Sequence, residues 1–274
     1  MDIRPSPIAG TWYSGNPTAL SREIEGYLEA VRPAEPPGKV IGIIVPHAGH
    51  RYSGAVAAHA FVLLRGLTPD LVAVVSPYHQ MAFDPMITTS HEAYSTPLGN
   101  LEVDRETLSQ LTKVLDIPLS PLQRDKEHSL EIELPFLQCV LGDSFKILPI
   151  MVRAQESEIS KQLGQALAAT LQGKNFLLVA STDLSHFYDQ PTASILDREM
   201  LNRFESLDPQ SIFDAERQGK GYACGHAAVA AVLWASIDLG ADRVSVVDYA
   251  TSGDVTGDQS SVVGYGAAVI TKPV

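Results

Sequence analysis

Short, continuous apolar runs rich in Val and Ile recur along the chain and predict strands that are buried on both faces. Four to nine consecutive positions in each run lack the polar alternation of a half-exposed strand. The runs cover residues 40–45, 71–75, 147–152, 176–180, 244–247 and 262–270. Residues 86–89 form a further, shorter candidate strand.

Segments with the apolar spacing of amphipathic helices lie between these runs. They cover residues 20–31, 54–64, 105–115, 129–140, 156–171, 193–204 and 227–239. Because strand and helix alternate, the pattern predicts an α/β fold with three layers, in which a central, mostly parallel (mixed) sheet lies between two helix layers. The Pro-rich stretch 32–38 is too short to separate domains.

The composition agrees with one globular domain covering residues 1–274. Hydrophobic residues make up 45% of the chain and charged residues 19%, and the mean hydropathy is +0.04. A chain of this length buries roughly three-quarters of its unfolded surface. These values exclude disordered and fibrous classes.

The charge and the cysteine content narrow the partners and the compartment. A net charge of −12 repels phosphate backbones and anionic membrane surfaces, so neither nucleic acid nor membrane is expected as a partner. The two cysteines, Cys139 and Cys224, lie far apart in the sequence, which is typical of a reducing compartment. No targeting pattern and no apolar run of about 20 residues occurs, and we expect a cytoplasmic protein.

Chemically active side chains follow three of the predicted strands. His47 comes directly after residues 40–45, His79 after 71–75, and Asp183 and His186 after 176–180. The carboxyl ends of parallel strands meet at one edge of the sheet, so these four side chains are expected to lie together. A lone His after a strand is more often a hydrogen-bonded loop residue, but two at equivalent strand ends favour a metal site.

Cys224 is the candidate for a third metal ligand. It stands at the start of a helical run of small residues, where the helix N-terminus is expected to lower the thiol pKa and favour the thiolate. Its alternative role is that of a small buried hydrophobic residue, which is our interpretation of Cys139. Asp183 likewise has an alternative role, as a cap of the following helix.

Several other polar residues are candidates for the surroundings of the site. His50 is interpreted as lying beside the ligands or facing a substrate. His128 and Glu131 are candidates for the pocket rim, with a solvated, charged helix face as the alternative. Tyr52 and His226 complete this group because they belong to the same sequence motifs as His47 and Cys224.

Six motifs in a fixed order resemble the Memo family, called AmmeMemoRadiSam system protein B in prokaryotes. The resemblance extends over nearly the whole chain. The motifs are Ile8-Ala9-Gly10-Thr11-Trp12-Tyr13, Pro46-His47-Ala48-Gly49 with Tyr52-Ser53-Gly54, Tyr94-Ser95-Thr96-Pro97-Leu98-Gly99, Glu127-His128-Ser129-Leu130-Glu131, Ser181-Thr182-Asp183-Leu184-Ser185-His186 and Ala223-Cys224-Gly225.

The resemblance carries expectations about fold and chemistry. Memo proteins are similar to the catalytic subunit of class III extradiol dioxygenases, which hold Fe(II) with two histidines and a glutamate and use another histidine as acid and base. By this similarity His47 and His79 are metal ligands and His186 is the acid/base residue. Cys224 stands where the dioxygenase has its carboxylate. A thiolate there shifts the preference toward softer or more reduced metals, including Cu(I).

The leading hypothesis is therefore a redox-active or oxygenase-like metalloprotein with Fe(II), or secondly copper, on His47, His79 and Cys224. In this hypothesis His186 moves protons and Asp183 orients it. The runner-up is a non-catalytic adaptor that uses the same pocket for a peptide or metabolite. A zinc hydrolase comes third, and a serine hydrolase is disfavoured because no G-x-S-x-G motif occurs. The family name also suggests a functional association with a radical SAM protein.

Overall fold

The computed structural model describes residues 1–274, and its twelve strands form two sheets. The strands are β1 Ile3–Arg4, β2 Lys39–Val45, β3 Leu71–Pro77, β4 Met86–Thr89, β5 Ala93–Thr96, β6 Gly99–Glu102, β7 Leu119–Leu122, β8 Lys146–Val152, β9 Phe176–Ser181, β10 His186–Tyr188, β11 Arg243–Thr251 and β12 Val262–Lys272. All strands predicted from the apolar runs are confirmed, including the short one at 86–89.

Nine α-helices alternate with these strands. They are α1 Pro17–Ala30, α2 His50–Phe61, α3 Arg105–Val114, α4 Leu134–Leu141, α5 Ser157–Leu171, α6 Gln190–Glu205, α7 Pro209–Arg217, α8 His226–Asp238 and α9 Ser252–Thr256. The seven predicted helices are confirmed, with the segment at 129–140 divided into a short 3-10 turn, Glu131–Glu133, and α4. None of the helices is long and apolar enough to cross a membrane.

The main sheet is mixed, with a parallel centre. Its strand order is β10-β12-β2-β9-β3-β8-β4-β7, and β11 pairs with β12. The four central strands β2, β9, β3 and β8 are parallel, whereas β12 and β4 join them antiparallel. Every residue of β3 is buried, because helices cover both faces of the centre of the sheet.

Two groups of helices form the outer layers, which confirms the predicted three-layer α/β architecture. Helices α1, α2 and α4 pack on one another, and α2 also contacts β2, β11 and β12. In the second group α5 packs on α8, and α8 lies on β3 and β9. Helix α8 is almost entirely buried, so its apolar sequence serves the core.

The elements absent from the sequence prediction are short or polar. Strands β1, β5 and β6 form a separate three-stranded sheet, and each has only two to four residues. Strand β10 has three residues and α9 has five. Elements of this length contain at most two repeats of the strand period and fewer than two of the helix period, so their pattern carries little signal.

Candidate metal centre

The predicted residues follow three adjacent central strands and lie at one edge of the sheet. His47 follows β2, His79 follows β3, and Asp183 follows β9, which lies between them. Because the three strands are parallel, their carboxyl ends coincide. His186 stands at the first residue of β10, on the same loop as Asp183.

His47, His79 and Cys224 bring three possible ligand atoms to within 4.8 Å of one another. The Sγ atom of Cys224 lies 3.1 Å from Nε2 of His47. The rings of His47 and His79 meet edge to face, with centroids 5.3 Å apart. Two imidazoles and one sulfur form a donor set that suits a transition metal.

Gly225 allows the loop carrying Cys224 to approach the end of β9. A Cβ atom at position 225 would lie 2.4 Å from the carbonyl oxygen of Ser181. The Gly225 N–H donates to Oγ1 of Thr182 at 2.9 Å, and the Cys224 N–H donates to the Asp183 carbonyl. A side chain at 225 would therefore push the sulfur away from His47.

The surroundings of His47 leave its Nε2 atom as the ring nitrogen that could bind a metal. Nδ1 lies 3.0 Å from Oγ of Ser181, and that hydroxyl lies 2.7 Å from both Oε1 of Glu133 and the Ser129 carbonyl oxygen. Ser181 donates to one of these acceptors, so it accepts from His47. Burial lowers the pKa of His47 well below its ordinary value, which keeps the ring neutral and able to bind a metal.

Glu127 binds Nδ1 of His79 and leaves Nε2 of that ring free, as Ser181 does for His47. The sequence did not indicate this role for Glu127. Its carboxylate accepts from Nδ1 of His79 at 2.9 Å and from the His79 backbone N–H at 2.6 Å. Burial alone would raise the pKa of Glu127, but hydrogen bonds and charge from His79 lower it to about 2. A carboxylate behind a ligand histidine fixes the tautomer and the ring orientation.

The predicted lowering of the Cys224 pKa is wrong. Burial, and next the Asp183 carboxylate, raise the pKa of the thiol above its ordinary value. The N-terminus of α8 does stand nearby, and hydrogen bonds from Asp183 and Gly225 act in the expected direction. The loss of water around the buried sulfur outweighs these dipoles.

Asp183 does not orient His186, contrary to the prediction. Its Oδ1 atom accepts from the backbone N–H of His47 at 2.8 Å, so this carboxylate fixes the loop after β2. Burial raises the pKa of Asp183 to about 7. His186 instead donates from Nδ1 to the carbonyl of Leu184 at 2.9 Å, and burial lowers its pKa.

Sequence comparison places this architecture in a known family. Residues 4–269 match the family described as Memo-like protein. The chain belongs to the Memo family. Relatives named MEMO1 family protein include one from Methanococcoides burtonii, 36% identical over 98% of this chain and 100% of its own. Another, from Methanothermobacter thermautotrophicus, is 35% identical over 96% and 98% of the two chains, and one from Nitrosopumilus maritimus is 33% identical over 97% and 98%.

This Memo protein also has a match among solved structures. It is the crystal structure of an uncharacterized protein from Escherichia coli K12, with a TM-score of 0.45 and 14% sequence identity. The match covers 83% of this chain and 99% of the other.

The Memo site also contains His128, as its placement in the motif suggested. Its ring stacks on His79 with centroids 4.9 Å apart, and Trp12 packs on it at 4.2 Å. His79, Glu127 and His128 form a second group of potential ligands that shares His79 with the first. Tyr52 lies on the first turn of α2 and is 38% exposed.

Two predicted residues, His50 and Glu131, lie away from the candidate metal centre of this Memo protein, and a third, His226, lies beside it. His50 is buried, donates from Nε2 to the Ile132 carbonyl at 3.1 Å and packs on Phe136, so it faces no substrate. Glu131 is fully buried and pairs with Arg4, which excludes both the pocket rim and a solvated face. His226 is buried, lines one pocket together with Cys224 and His186, and donates from Nδ1 to the Ala223 carbonyl at 3.1 Å.

Proposed function

We propose that this Memo protein holds a redox-active metal ion on His47, His79 and Cys224 and uses it, with dioxygen as the oxidant, to oxidise a small substrate. The observation that carries the proposal is the convergence of the three ligand atoms within 4.8 Å. The acceptors behind the two Nδ1 atoms add to it, because they leave Nε2 of each ring free to bind a metal. Such acceptors are typical of metal-binding histidines.

The donor set suits iron as Fe(II) first and copper second. Two neutral imidazoles favour both metals, and a thiolate ligand favours soft or reduced states such as Cu(I). Zinc is less suited to a redox role because it has no accessible second oxidation state. The bound metal would supply one-electron redox chemistry at open coordination positions.

The protein's own residues would bind the metal and move protons. The raised pKa of the Cys224 thiol means that metal binding must release its proton. Asp183, whose N–H donates to Sγ at 3.3 Å, holds this sulfur in place. Nδ1 of His186 donates to the Leu184 carbonyl. Nε2 is therefore the nitrogen that would accept a proton from the substrate or donate one to it.

Oxygen consumption tests this chemistry. Protein loaded anaerobically with Fe(II), or with copper, is mixed with ascorbate and oxygen uptake is recorded. We expect metal-dependent uptake by the wild type and by Cys139→Ala, and none above free metal by Cys224→Ala. A wild type that retains its metal and consumes no oxygen in any of these mixtures contradicts the redox role.

A binding or adaptor role for the same pocket is the second candidate. Exposed aromatic side chains stand next to two site histidines: Trp12 packs on His128 and Phe187 packs edge-on to His186. Such side chains would hold a peptide or metabolite without chemistry. This role predicts that Cys224→Ala leaves ligand binding intact, and loss of binding would count against it.

A further inference from the structure

A pocket of about 270 Å³ opens beside Cys224 and His186, at the edge of the sheet that carries the candidate metal ligands. Its walls come from β10, from the end of α7 and from the loop before α8. The lining also contains two aromatic side chains, Tyr188 and Tyr222, and one acidic side chain, Glu216. A ligand in this pocket would lie next to the sulfur of Cys224.

An irregular backbone at β10 turns two side chains into the pocket. His186 pairs with Val263 and Tyr188 with Val262, so the register shifts between them. Phe187, at the shift, has a φ of 66° and is 76% exposed. A positive φ in a bulky residue costs roughly 1–3 kcal/mol and is typical of functional sites. Here it accompanies the placement of both His186 and Tyr188 in the pocket lining.

Two aromatic rings belong to the lining of the pocket. Tyr188 and Tyr222 lie nearly parallel, with an interplanar angle of 10° and centroids 6.2 Å apart. The two residues belong to different segments of the chain, and both rings are partly exposed. Ring faces of this kind attract planar apolar groups and, through their negative π surfaces, cations.

The charge of the pocket lining is negative. Glu216 is the one carboxylate among the lining residues, and neither Lys nor Arg is among them. Oε2 of Glu216 lies 2.9 Å from Nδ1 of His226, and the carboxylate is 28% exposed. A carboxylate offers about four acceptor positions, so Glu216 retains acceptors for a ligand. The net charge of −12 for the whole chain acts in the same direction.

We infer that this pocket binds a small organic cation, a primary amine carried on a planar apolar body. The ammonium group pairs with Glu216 and the body lies against Tyr188 and Tyr222, which leaves the ligand in contact with Cys224 and His186. The identification of this ligand as the substrate rests on the proposed function. The preference of the pocket for an amine does not.

Benzylamine and benzyl alcohol test the inference, because they share one ring and differ in the charged group. Binding to the full-length protein is measured by calorimetry or ligand-observed NMR at pH 7. We expect the wild type to bind benzylamine about tenfold or more tightly than the alcohol, as for an ion pair shielded from water. Glu216→Gln keeps the size of the side chain and an acceptor oxygen but removes the negative charge, and should abolish the preference.

Asp214→Asn is the matched control. Asp214 lies on the same helix, and its loss changes the net charge by the same amount, but its side chain pairs with Arg217 at the surface. This variant should keep the preference for benzylamine. Coordination of the amine by a metal ion would survive Glu216→Gln, so an unchanged preference in that variant overturns the inference. Equal binding of the two probes by the wild type overturns it as well.

The metal content of each preparation separates the two proposals. Stoichiometric metal without amine preference leaves the proposed function standing and removes the inference. An amine preference that depends on Glu216 in a protein that binds no metal supports the pocket and removes the redox role.

Discussion

The Glu127 carboxylate accepts a hydrogen bond from Nδ1 of His79 at 2.9 Å and another from the His79 backbone N–H. It also accepts from the backbone N–H groups of His128 and Ser129. One buried carboxylate thus fixes the ring, the backbone and the following loop. It is the strongest single constraint on the orientation of His79.

Glu127→Gln should weaken metal binding by about 10- to 100-fold, the usual effect of losing a carboxylate behind a ligand histidine. The amide nitrogen cannot accept from His79, and the negative charge that strengthens His79 as a ligand is lost. Metal titration measures the effect. Glu106→Gln, at an exposed position on α3, is the control and should bind like the wild type. Equal affinity in both variants would show that Glu127 does not support the site.

Asp183→Asn should make Cys224 react faster with iodoacetamide at pH 8. The Asp183 carboxylate raises the pKa of the buried thiol, and only the thiolate reacts. The rate should rise about tenfold for each unit by which the substitution lowers the thiol pKa. Mass spectrometry follows both cysteines, and Cys139 serves as the internal reference whose rate should not change. A slower Cys224 in the variant would contradict this electrostatic account.

His50 should make the stability fall as the pH is lowered below its unfolded pKa of 6.5. Burial lowers the pKa of His50 in the folded protein to about 4. Between pH 6.5 and 4 the side chain is therefore protonated in the unfolded state but neutral in the folded state. The contribution is fully present above pH 6.5 and is lost toward pH 4, at about 1.4 kcal/mol per pH unit.

His50→Phe should flatten this slope by that amount. Above pH 6.5 the variant will be less stable than the wild type, because the Ile132 carbonyl loses its donor. The slope, measured by urea unfolding between pH 6 and 4.5, is therefore the informative quantity. A variant whose slope equals that of the wild type would assign the pH dependence to other histidines.

Arg4→Met should destabilise the protein by about 3–5 kcal/mol. Arg4 is fully buried and pairs with Asp125 at 2.6 Å and with Glu131, so its removal leaves two buried carboxylates without a cation. Arg65→Met is the matched control, since the Arg65–Glu25 pair is about half exposed and should contribute less than about 1 kcal/mol. Similar losses in the two variants, measured by urea unfolding, would contradict this difference.

The buried strands were predictable because their sequences contain little besides Val, Ile, Leu and Ala. A run such as 71–75 has one stable environment, a sheet covered on both faces. The convergence of His47, His79 and Asp183 followed from the same reasoning, since parallel strands end together. The three-stranded sheet could not be predicted, because its short strands are specified by contacts distant in sequence, such as Ile3 with Ala93.

The finer roles of polar residues depended on side-chain contacts that spacing does not encode. Glu127 and Glu131 belong to the same motif, yet one supports His79 and the other pairs with Arg4. Which partner each of the two carboxylates meets depends on the turn at residues 127–133. The 3-10 helix in this turn has no clear apolar period. Likewise, the pKa of Cys224 depends on burial, which the sequence around it does not reveal.

Anaerobic Fe(II) titration tests the central claim most directly. The wild type is compared with His47→Ala, His79→Ala and Cys224→Ala, and with Cys139→Ala as the control that removes a cysteine remote from the site. The account predicts one tightly bound iron per chain in the wild type and in Cys139→Ala, and its loss in each of the other three variants while they remain folded. A folded wild type that binds no iron, or three variants that all retain it, would contradict the account.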